Sequence, residues 1–141
     1  MTQLEALKAI AARNNGLLRP ADVVEEARDE NSPLHSAFCW DDSEAARLFR
    51  LDQAQRLIRK FKVVVEESKG KVVEVPVFIG VSSDRTSTKD ENPYRLATDV
   101  AKDKNLLAVA ENDALEQLKA LKNRYNYLKK FQQLWDLIDS L

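Results

Sequence analysis

His35 and Cys39 carry the most versatile chemistry in this chain, and each is the only residue of its type among 141. They are four positions apart, so on a helix they would share a face. Two ligands are too few for structural zinc, and one histidine cannot build a multi-histidine metal centre. A nucleophilic Cys39 would need a base and an oxyanion pocket, and the sequence indicates neither. We therefore predict no metal site and no cofactor, and we expect Cys39 to pack in the core.

Two further patterns that could indicate catalysis have simpler explanations. Asp41 and Asp42 are adjacent carboxylates, but capping of a helix start explains them. Gly16, Gly70 and Gly80 are too far apart for a phosphate-binding loop. The sequence therefore predicts no catalytic residues and a protein that is not an enzyme.

Basic side chains are concentrated between Arg47 and Lys62, where six of them accompany a single acidic residue, Asp52. Lysines and arginines grouped in this way can contact the phosphates of nucleic acid. Two lysines of a predicted hairpin lie beside the cluster. The predicted nucleic-acid-binding residues are Arg56, Arg59, Lys60, Lys62, Lys69 and Lys71.

Two features of the charge distribution oppose DNA binding. Asp41, Asp42 and Glu44 lie at the start of the long predicted helix, where a recognition helix would approach DNA, and they would repel it. The net charge of the whole chain is −1, which gives little electrostatic steering.

The segment 20–80 is predicted to contain short helices, one long helix and then a β-hairpin, which is the order of elements in a winged helix. We expect helices over Thr2–Arg13, Pro20–Asp29, Ser32–Phe38 and Asp42–Lys60. Strands over 62–67 and 71–79 flank the turn at Ser68–Gly70, and Pro76 makes the second strand an edge strand or a bulged one. The predicted fold class is α+β, mostly α, with a winged-helix-like N-terminal part followed by long C-terminal helices.

The long helix has the clearest start signal in the sequence. Asp41 is the expected N-cap, Glu44 can reach back to it, and Trp40 can pack onto Ala45. Because a large side chain before a cap is costly to leave in water, we expect Trp40 to be buried and to anchor the short helices to the long one.

The wheel of the long helix has one wide apolar face that contains two arginines. The face comprises Ala46, Leu51, Ala54, Leu57, Ile58 and Phe61. Arg47 and Arg50 fall inside it, so we expect both to be partnered within the fold, with Asp22, Glu25 and Glu26 as candidate partners. Leu48 and Phe49 fall outside it, which predicts apolar contacts on a second side. A central core helix is favoured over a DNA-reading helix.

The second half of the chain divides at a polar segment. Residues 82–93 have the composition of an exposed loop, a mobile linker or a loop that orders on binding. The predicted division is a helical domain with a hairpin wing over 1–81, the polar loop over 82–93, and a C-terminal helical oligomerisation region over 94–141. Tyr94–Ala101 is expected to be a short helix.

A long helical pattern begins at Asp103 or Asn105 and continues to about Ser140. Unbroken, its roughly 35 residues would extend about 50 Å, so the segment must bend back or find a partner chain. A break near Asn123–Asn126 would give a helical hairpin, and dimerisation would give a bundle. The predicted oligomerisation residues are Leu107, Leu118, Leu121, Leu128 and Trp135, and the predicted assembly is a homodimer.

The location of the protein is predicted from what the sequence lacks. Residues 1–5 have neither the basic nor the apolar region of a signal peptide. No apolar run is long enough to cross a bilayer, so no membrane partner is expected. The lone cysteine is typical of a reducing compartment, and we predict a cytoplasmic protein.

Several short motifs together resemble a family of small bacteriophage and prophage proteins without an established activity. They are Gly16–Ala27, Ser32–His35, Phe38, Trp40–Asp42, Ala45-Ala46, Arg50-Leu51, Ser83–Arg85 and Tyr94-Arg95, and they span most of the chain. The resemblance implies a viral origin and action in a bacterial host cytoplasm, and it transfers no catalytic residues.

Two functions remain open from the sequence. The first is a non-enzymatic bacteriophage protein that associates with duplex DNA through the winged-helix-like part and dimerises through its C-terminal helices. The alternative is a protein-binding module that captures a host or phage protein as an inhibitor, adaptor or assembly factor. The helices-then-hairpin order favours DNA by a small margin, and balanced charge suits a protein partner.

Overall fold

The computed structural model describes residues 1–40, 43–87 and 91–141, and this part of the chain is α+β and mostly helical. Helices α1 (Gln3–Arg13), α2 (Pro20–Ala27) and α3 (Glu44–Lys60) come first. Strands β1 (Lys62–Glu66) and β2 (Val72–Pro76) form an antiparallel hairpin, and β3 (Phe78–Ile79) pairs with β4 (Arg95–Leu96). Helices α4 (Ala97–Lys102), α5 (Lys104–Tyr125) and α6 (Gln132–Asp139) complete the fold.

Local signals set the ends of α1 and the start of α2. The hydroxyl of Thr2 accepts a hydrogen bond from the Glu5 amide at 3.1 Å and caps α1. Gly16, with a φ of +86°, donates its amide to the Ala11 carbonyl at 2.7 Å and closes the C-terminal end. Pro20 occupies the first turn of α2. The third helix, predicted over Ser32–Phe38, is shorter in the structure. Only His35–Ala37 forms a helical turn, and it is of the 3-10 type.

Helix α3 begins later than predicted. Its N-cap is Ser43, whose hydroxyl accepts a hydrogen bond from the Ala46 amide at 3.1 Å. This geometry corrects the prediction that Asp41 caps the helix. Asp41 and Asp42 themselves lie outside the described residues.

The core is built where α1, α2 and α3 meet. Leu7 and Ile10 of α1, Val23 of α2 and Ile58 of α3 are fully buried. The predicted apolar face of α3 is confirmed, since Ala46, Leu51, Ala54, Leu57 and Ile58 are buried and Phe61 packs against the core. Leu48 and Phe49, for which we expected apolar contacts on a second side of α3, are exposed.

The predicted hairpin is confirmed, and all five residues of β1 are exposed. Its register pairs Val63 with Val75 and Val65 with Val73. The turn at Ser68–Gly70 needs a left-handed backbone at Lys69 and at Gly70, which explains the glycine. Pro76 ends β2 on an edge of the two-stranded sheet, where its missing N–H is tolerated. The winged-helix assignment stays a prediction.

The chain returns to the N-terminal helices after the polar segment. Leu18 and Tyr94 exchange two backbone hydrogen bonds of 2.7 Å, and the Ala97 amide donates to the Val77 carbonyl at 2.8 Å. Residues 94–96 are therefore extended, and α4 starts at Ala97 and not at Tyr94 as predicted. The division at 82–93 stays a prediction, but residues on both sides of it are hydrogen-bonded to each other.

The break predicted near Asn123–Asn126 is confirmed, because α5 ends at Tyr125. Helix α6 folds back along α5, and an ion pair joins Lys122 to Asp139. This helical hairpin buries Trp135 and Ile138 within one chain. Across the described ranges, no helix combines the length and the apolar character needed to span a membrane.

Candidate functional site

The predicted nucleic-acid-binding residues are all exposed, and they lie from the end of α3 to the tip of the hairpin. Arg56 is ion-paired with Asp52 at 2.9 Å, one helical turn away. Arg59 donates its Nε–H to the Tyr94 hydroxyl at 3.0 Å. The Lys60 ammonium lies 5.4 Å from the centre of the Phe61 ring. Two of the three α3 cations therefore have polar partners within the fold.

The hairpin itself is electrically balanced. Lys62 begins β1, Lys69 is in the turn and Lys71 precedes β2. The same hairpin contains Glu66, Glu67 and Glu74, so its formal charge is zero. Phosphate contacts by the three lysines would have to overcome repulsion from these carboxylates.

Both faces of the hairpin also expose valine side chains. Val63 and Val65 lie on one face, and on the other face Val64 and Val72 are 65% and 62% exposed. Exposed apolar side chains on an edge strand favour pairing with another protein chain over contact with phosphates.

The two arginines of the apolar face of α3 have different environments. Arg50 is only 5% exposed, donates from Nη1 to the Cys39 carbonyl at 3.3 Å and places its guanidinium 5.3 Å from the Trp40 ring centre. Arg47 is exposed, so the prediction that it is partnered inside the fold is wrong. The proposed acidic partners pair elsewhere: Asp22 with Arg19, Glu25 with Arg28 and Glu26 with Arg13.

His35 has a structural role beside Trp40. Its Nδ1 lies 2.7 Å from the Ala27 carbonyl oxygen, and since a carbonyl only accepts, Nδ1 carries the proton. The imidazole stacks on Trp40 with 5.0 Å between ring centres and an angle of 8°. The Trp40 Nε1–H donates to the His35 carbonyl at 3.0 Å. Trp40 is half-buried in this arrangement, less than predicted.

Cys39 is exposed, which corrects the prediction that it packs in the core. The backbone is extended at Phe38, so successive side chains point to opposite sides, and Phe38 takes the buried position. Among the described residues, no group of three or more His, Cys, Asp or Glu side chains is arranged to hold a metal ion.

The described parts of the polar segment are anchored at both ends of a short turn, Ser82–Asp84. The Ser82 amide and hydroxyl donate to the Asp113 carboxylate at 2.8 and 2.5 Å. Asp84 accepts two hydrogen bonds from Arg95, at 2.5 and 2.9 Å. These hydrogen bonds attach the described residues of the segment to α5 and β4. Thr88, Lys89 and Asp90 lie outside the described residues.

These anchors shift the ionisation of their members. The hydrogen bond from the Ser82 hydroxyl, helped by that of its amide, lowers the pKa of Asp113 below the usual aspartate value, and the positive charge of Arg85 adds to the effect. The hydrogen bond to Asp84 raises the pKa of Arg95 further above its already high value. Asp113 therefore stays ionised and Arg95 stays protonated at neutral pH, and their hydrogen bonds hold the described residues of the segment against α5 and β4.

A cleft of about 250 Å³ lies between α3 and this anchored segment. It is lined by Gln55, Arg59, Gly80, Val81, Arg85, Asn92, Pro93 and Tyr94. The sequence identified Arg59 as a binding residue but missed Arg85 and Asn92. Both lie in the stretch that its composition assigned to a linker, and no local signal indicated that it folds back.

An apolar groove of about 320 Å³ lies on the helical hairpin. Three predicted oligomerisation residues line it, Leu121, Leu128 and Trp135, together with Tyr125, Phe131 and Leu134. Trp135 is only 3% exposed, because the helical hairpin already covers most of it. Leu107 and Leu118 lie nearer the start of α5 and are partly exposed.

Comparison with known proteins leaves the chain without relatives that could assign a role to either site. No protein-family model matches the sequence, and comparisons with curated proteins and with solved structures gave no significant match. The resemblance to small bacteriophage proteins accordingly stays a prediction.

Proposed function

We propose that this protein is a non-enzymatic interaction module that forms a homodimer through the α5–α6 hairpin. The observation that carries the proposal is the apolar groove between Leu121, Leu128 and Leu134, which has room for side chains from a partner. Apolar grooves of this kind on a helix pair are typical docking sites for another helix.

Helix α6 presents apolar residues on two neighbouring stripes. Trp135 and Ile138 form the stripe that faces α5 and is buried. Leu134 and Leu137 form the other stripe and are 45% and 58% exposed, and Leu141, just after the helix, is 67% exposed. Soluble monomers rarely leave such a continuous patch in water, so a partner that covers it would stabilise the protein.

A second copy of the chain is the partner that this surface fits best. Residues 103–141 contain six basic and six acidic side chains, so the surface carries no net charge. A two-fold axis brings the same surface of two copies into contact. A strongly charged surface would repel its own copy, whereas a neutral apolar surface favours this contact. Helix pairs from two copies would then form a four-helix arrangement.

Replacing Leu134 and Leu137 together with serine should convert a dimer into a monomer. The two side chains lie on the exposed stripe, so the change removes apolar contact area between copies while Trp135 and Ile138 stay buried. Sedimentation velocity of both proteins at micromolar concentration measures the shift. The matched control is Leu48→Ser with Phe49→Ser, an exposed apolar pair on α3, which should leave the dimer intact. A wild-type chain that sediments as a monomer would contradict the proposal.

Association with duplex DNA is the second candidate, favoured by exposed Arg56, Arg59 and Lys60 at the end of α3 beside the hairpin lysines. These cations would contact DNA phosphates and give salt-dependent binding. This binding would take place in the bacterial cytoplasm, where a protein of viral origin would meet duplex DNA. The balanced charge of the hairpin weighs against DNA binding. The exposed valines of the hairpin suit the alternative, in which the protein captures a host or phage protein.

The DNA candidate predicts that Arg56→Glu, Arg59→Glu and Lys60→Glu together abolish a duplex gel shift in a folded protein. Three phosphate contacts become repulsive in this variant, and their loss reduces the salt dependence of binding as well as its strength. Lys8→Glu, Lys102→Glu and Lys104→Glu change the same charge at exposed positions elsewhere and should bind normally. An unchanged shift from the first variant would remove this surface from consideration and leave the protein partner.

A further inference from the structure

The cleft between α3 and residues 80–85 and 92–94 has a one-sided charge. Among the described residues, its lining contains two arginines, Arg59 and Arg85, and no acidic side chain. At about 30 Å³ for each water molecule, its 250 Å³ would hold about eight waters, enough room for one small ion and part of its hydration shell.

The polar groups of this cleft are mainly hydrogen-bond donors. Arg59 uses its Nε–H on the Tyr94 hydroxyl, which leaves its two terminal amino groups. The Asn92 side-chain oxygen accepts from the Thr86 amide at 2.7 Å and from the Thr86 hydroxyl at 3.2 Å. The side-chain NH₂ of Asn92 therefore remains as a donor. Such a set of donors matches a ligand rich in acceptor oxygens.

The two cleft arginines also lack the ion pairs that five other arginines of this protein form. Five arginines in the described ranges form ion pairs with carboxylates: Arg13, Arg19, Arg28, Arg56 and Arg95. Within the same ranges no carboxylate lies within 4.0 Å of Arg59 or Arg85. Asp113 interacts with Arg85 only through its longer-range field. Two like charges that share one cleft repel each other, and a bound anion removes that cost.

We propose that this cleft binds a phosphate group, held by the guanidinium groups of Arg59 and Arg85 with Asn92 as a further donor. Phosphate fits better than a carboxylate because it offers more oxygens and up to two negative charges to two planar guanidinium forks. The group could be a free phosphate ester or a phosphate of a nucleic acid. The phosphate site does not depend on dimerisation, so loss of the homodimer proposal would leave it standing. Arg85 is not part of the DNA surface described above, so the effect of Arg85→Gln separates the phosphate site from the DNA candidate.

The test is a titration of the full-length protein with inorganic phosphate at constant ionic strength, followed by the NMR signals of the arginine Nε–H groups. We expect saturable shifts of Arg59 and Arg85. Arg59→Gln and Arg85→Gln should each weaken phosphate binding by about tenfold or more, the range for one charge-assisted hydrogen bond. Arg47→Gln is the matched control, because it removes an exposed guanidinium at the other end of α3 and should leave affinity unchanged.

Two oligonucleotides separate the sources of the phosphate. Binding of a single strand only when it carries a 5′-phosphate supports a terminal phosphate, and equal binding without it supports backbone phosphates. If neither strand binds more tightly than inorganic phosphate, a free phosphate ester is supported. In each case the dependence on Arg59 and Arg85 must persist. Absence of saturable phosphate binding, or equal weakening by Arg47→Gln, would overturn the proposal.

Discussion

Asp84→Asn should lower the free energy of unfolding by about 2–3 kcal/mol, less than for a fully buried ion pair because the Arg95 guanidinium keeps some solvent contact. The two side chains are only 12% and 19% exposed and are joined by two hydrogen bonds. Asparagine keeps the shape of aspartate but removes its charge and one acceptor. Arg95 then remains in a partly buried position with only the weaker fields of Asp99 and Asp103.

Urea unfolding measures this effect, and Glu25→Gln is the matched control. Glu25 also forms an ion pair with an arginine, Arg28, but both side chains are well exposed, so the control should cost less than about 0.5 kcal/mol. A double-mutant cycle with Arg95→Gln isolates the coupling between Asp84 and Arg95. If Asp84→Asn is no more destabilising than the control, the pair does not anchor the segment 82–96.

Trp40→Ala should lower the free energy of unfolding by about 3 kcal/mol, at the lower end of the range for large aromatic residues because Trp40 is half-buried. The indole stacks on His35, touches Phe38 and lies under the guanidinium groups of Arg28 and Arg50. Its removal therefore disconnects the segment before α3 from both α2 and α3.

Trp40→Phe tests how much of this effect comes from the ring. Phenylalanine keeps an aromatic face but loses the hydrogen bond to the His35 carbonyl, so we expect a cost of about 1 kcal/mol. Chemical denaturation followed by the fluorescence of the remaining Trp135 measures both variants. A cost below about 1 kcal/mol for Trp40→Ala would show that the residue is a surface group rather than an anchor.

The elements that the sequence predicted correctly are those with local signals. The first helix, the glycine turn at Gly70 and the β-branched strands of the hairpin each depend on residues a few positions apart. The break after Tyr125 was one of two alternatives that the length of the helical pattern suggested, the other being a bundle formed on dimerisation. Local chemistry and burial of apolar area agree in these segments.

The elements that the sequence missed depend on distant partners. Leu18 pairs with Tyr94 across most of the chain, and Asp113 caps a turn 31 residues away. A surface aspartate on a helix gives no indication of such a role. For the same reason Arg59 could be predicted as a binding residue, whereas the cleft that it shares with Arg85 could not. Arg47 shows that a position on the apolar side of a wheel is not necessarily buried.

The homodimer is tested most directly by mixing ¹³C-labelled and unlabelled copies of the chain and recording isotope-filtered NOEs. The proposed interface predicts intermolecular NOEs from the methyl groups of Leu134 and Leu137 to the aromatic rings of Tyr125 or Phe131. The Leu134→Ser, Leu137→Ser variant should show no intermolecular NOEs from any residue. A wild-type sample without intermolecular NOEs, tumbling at the rate of a 16.0 kDa monomer, would contradict the proposal that α5 and α6 form a dimer interface.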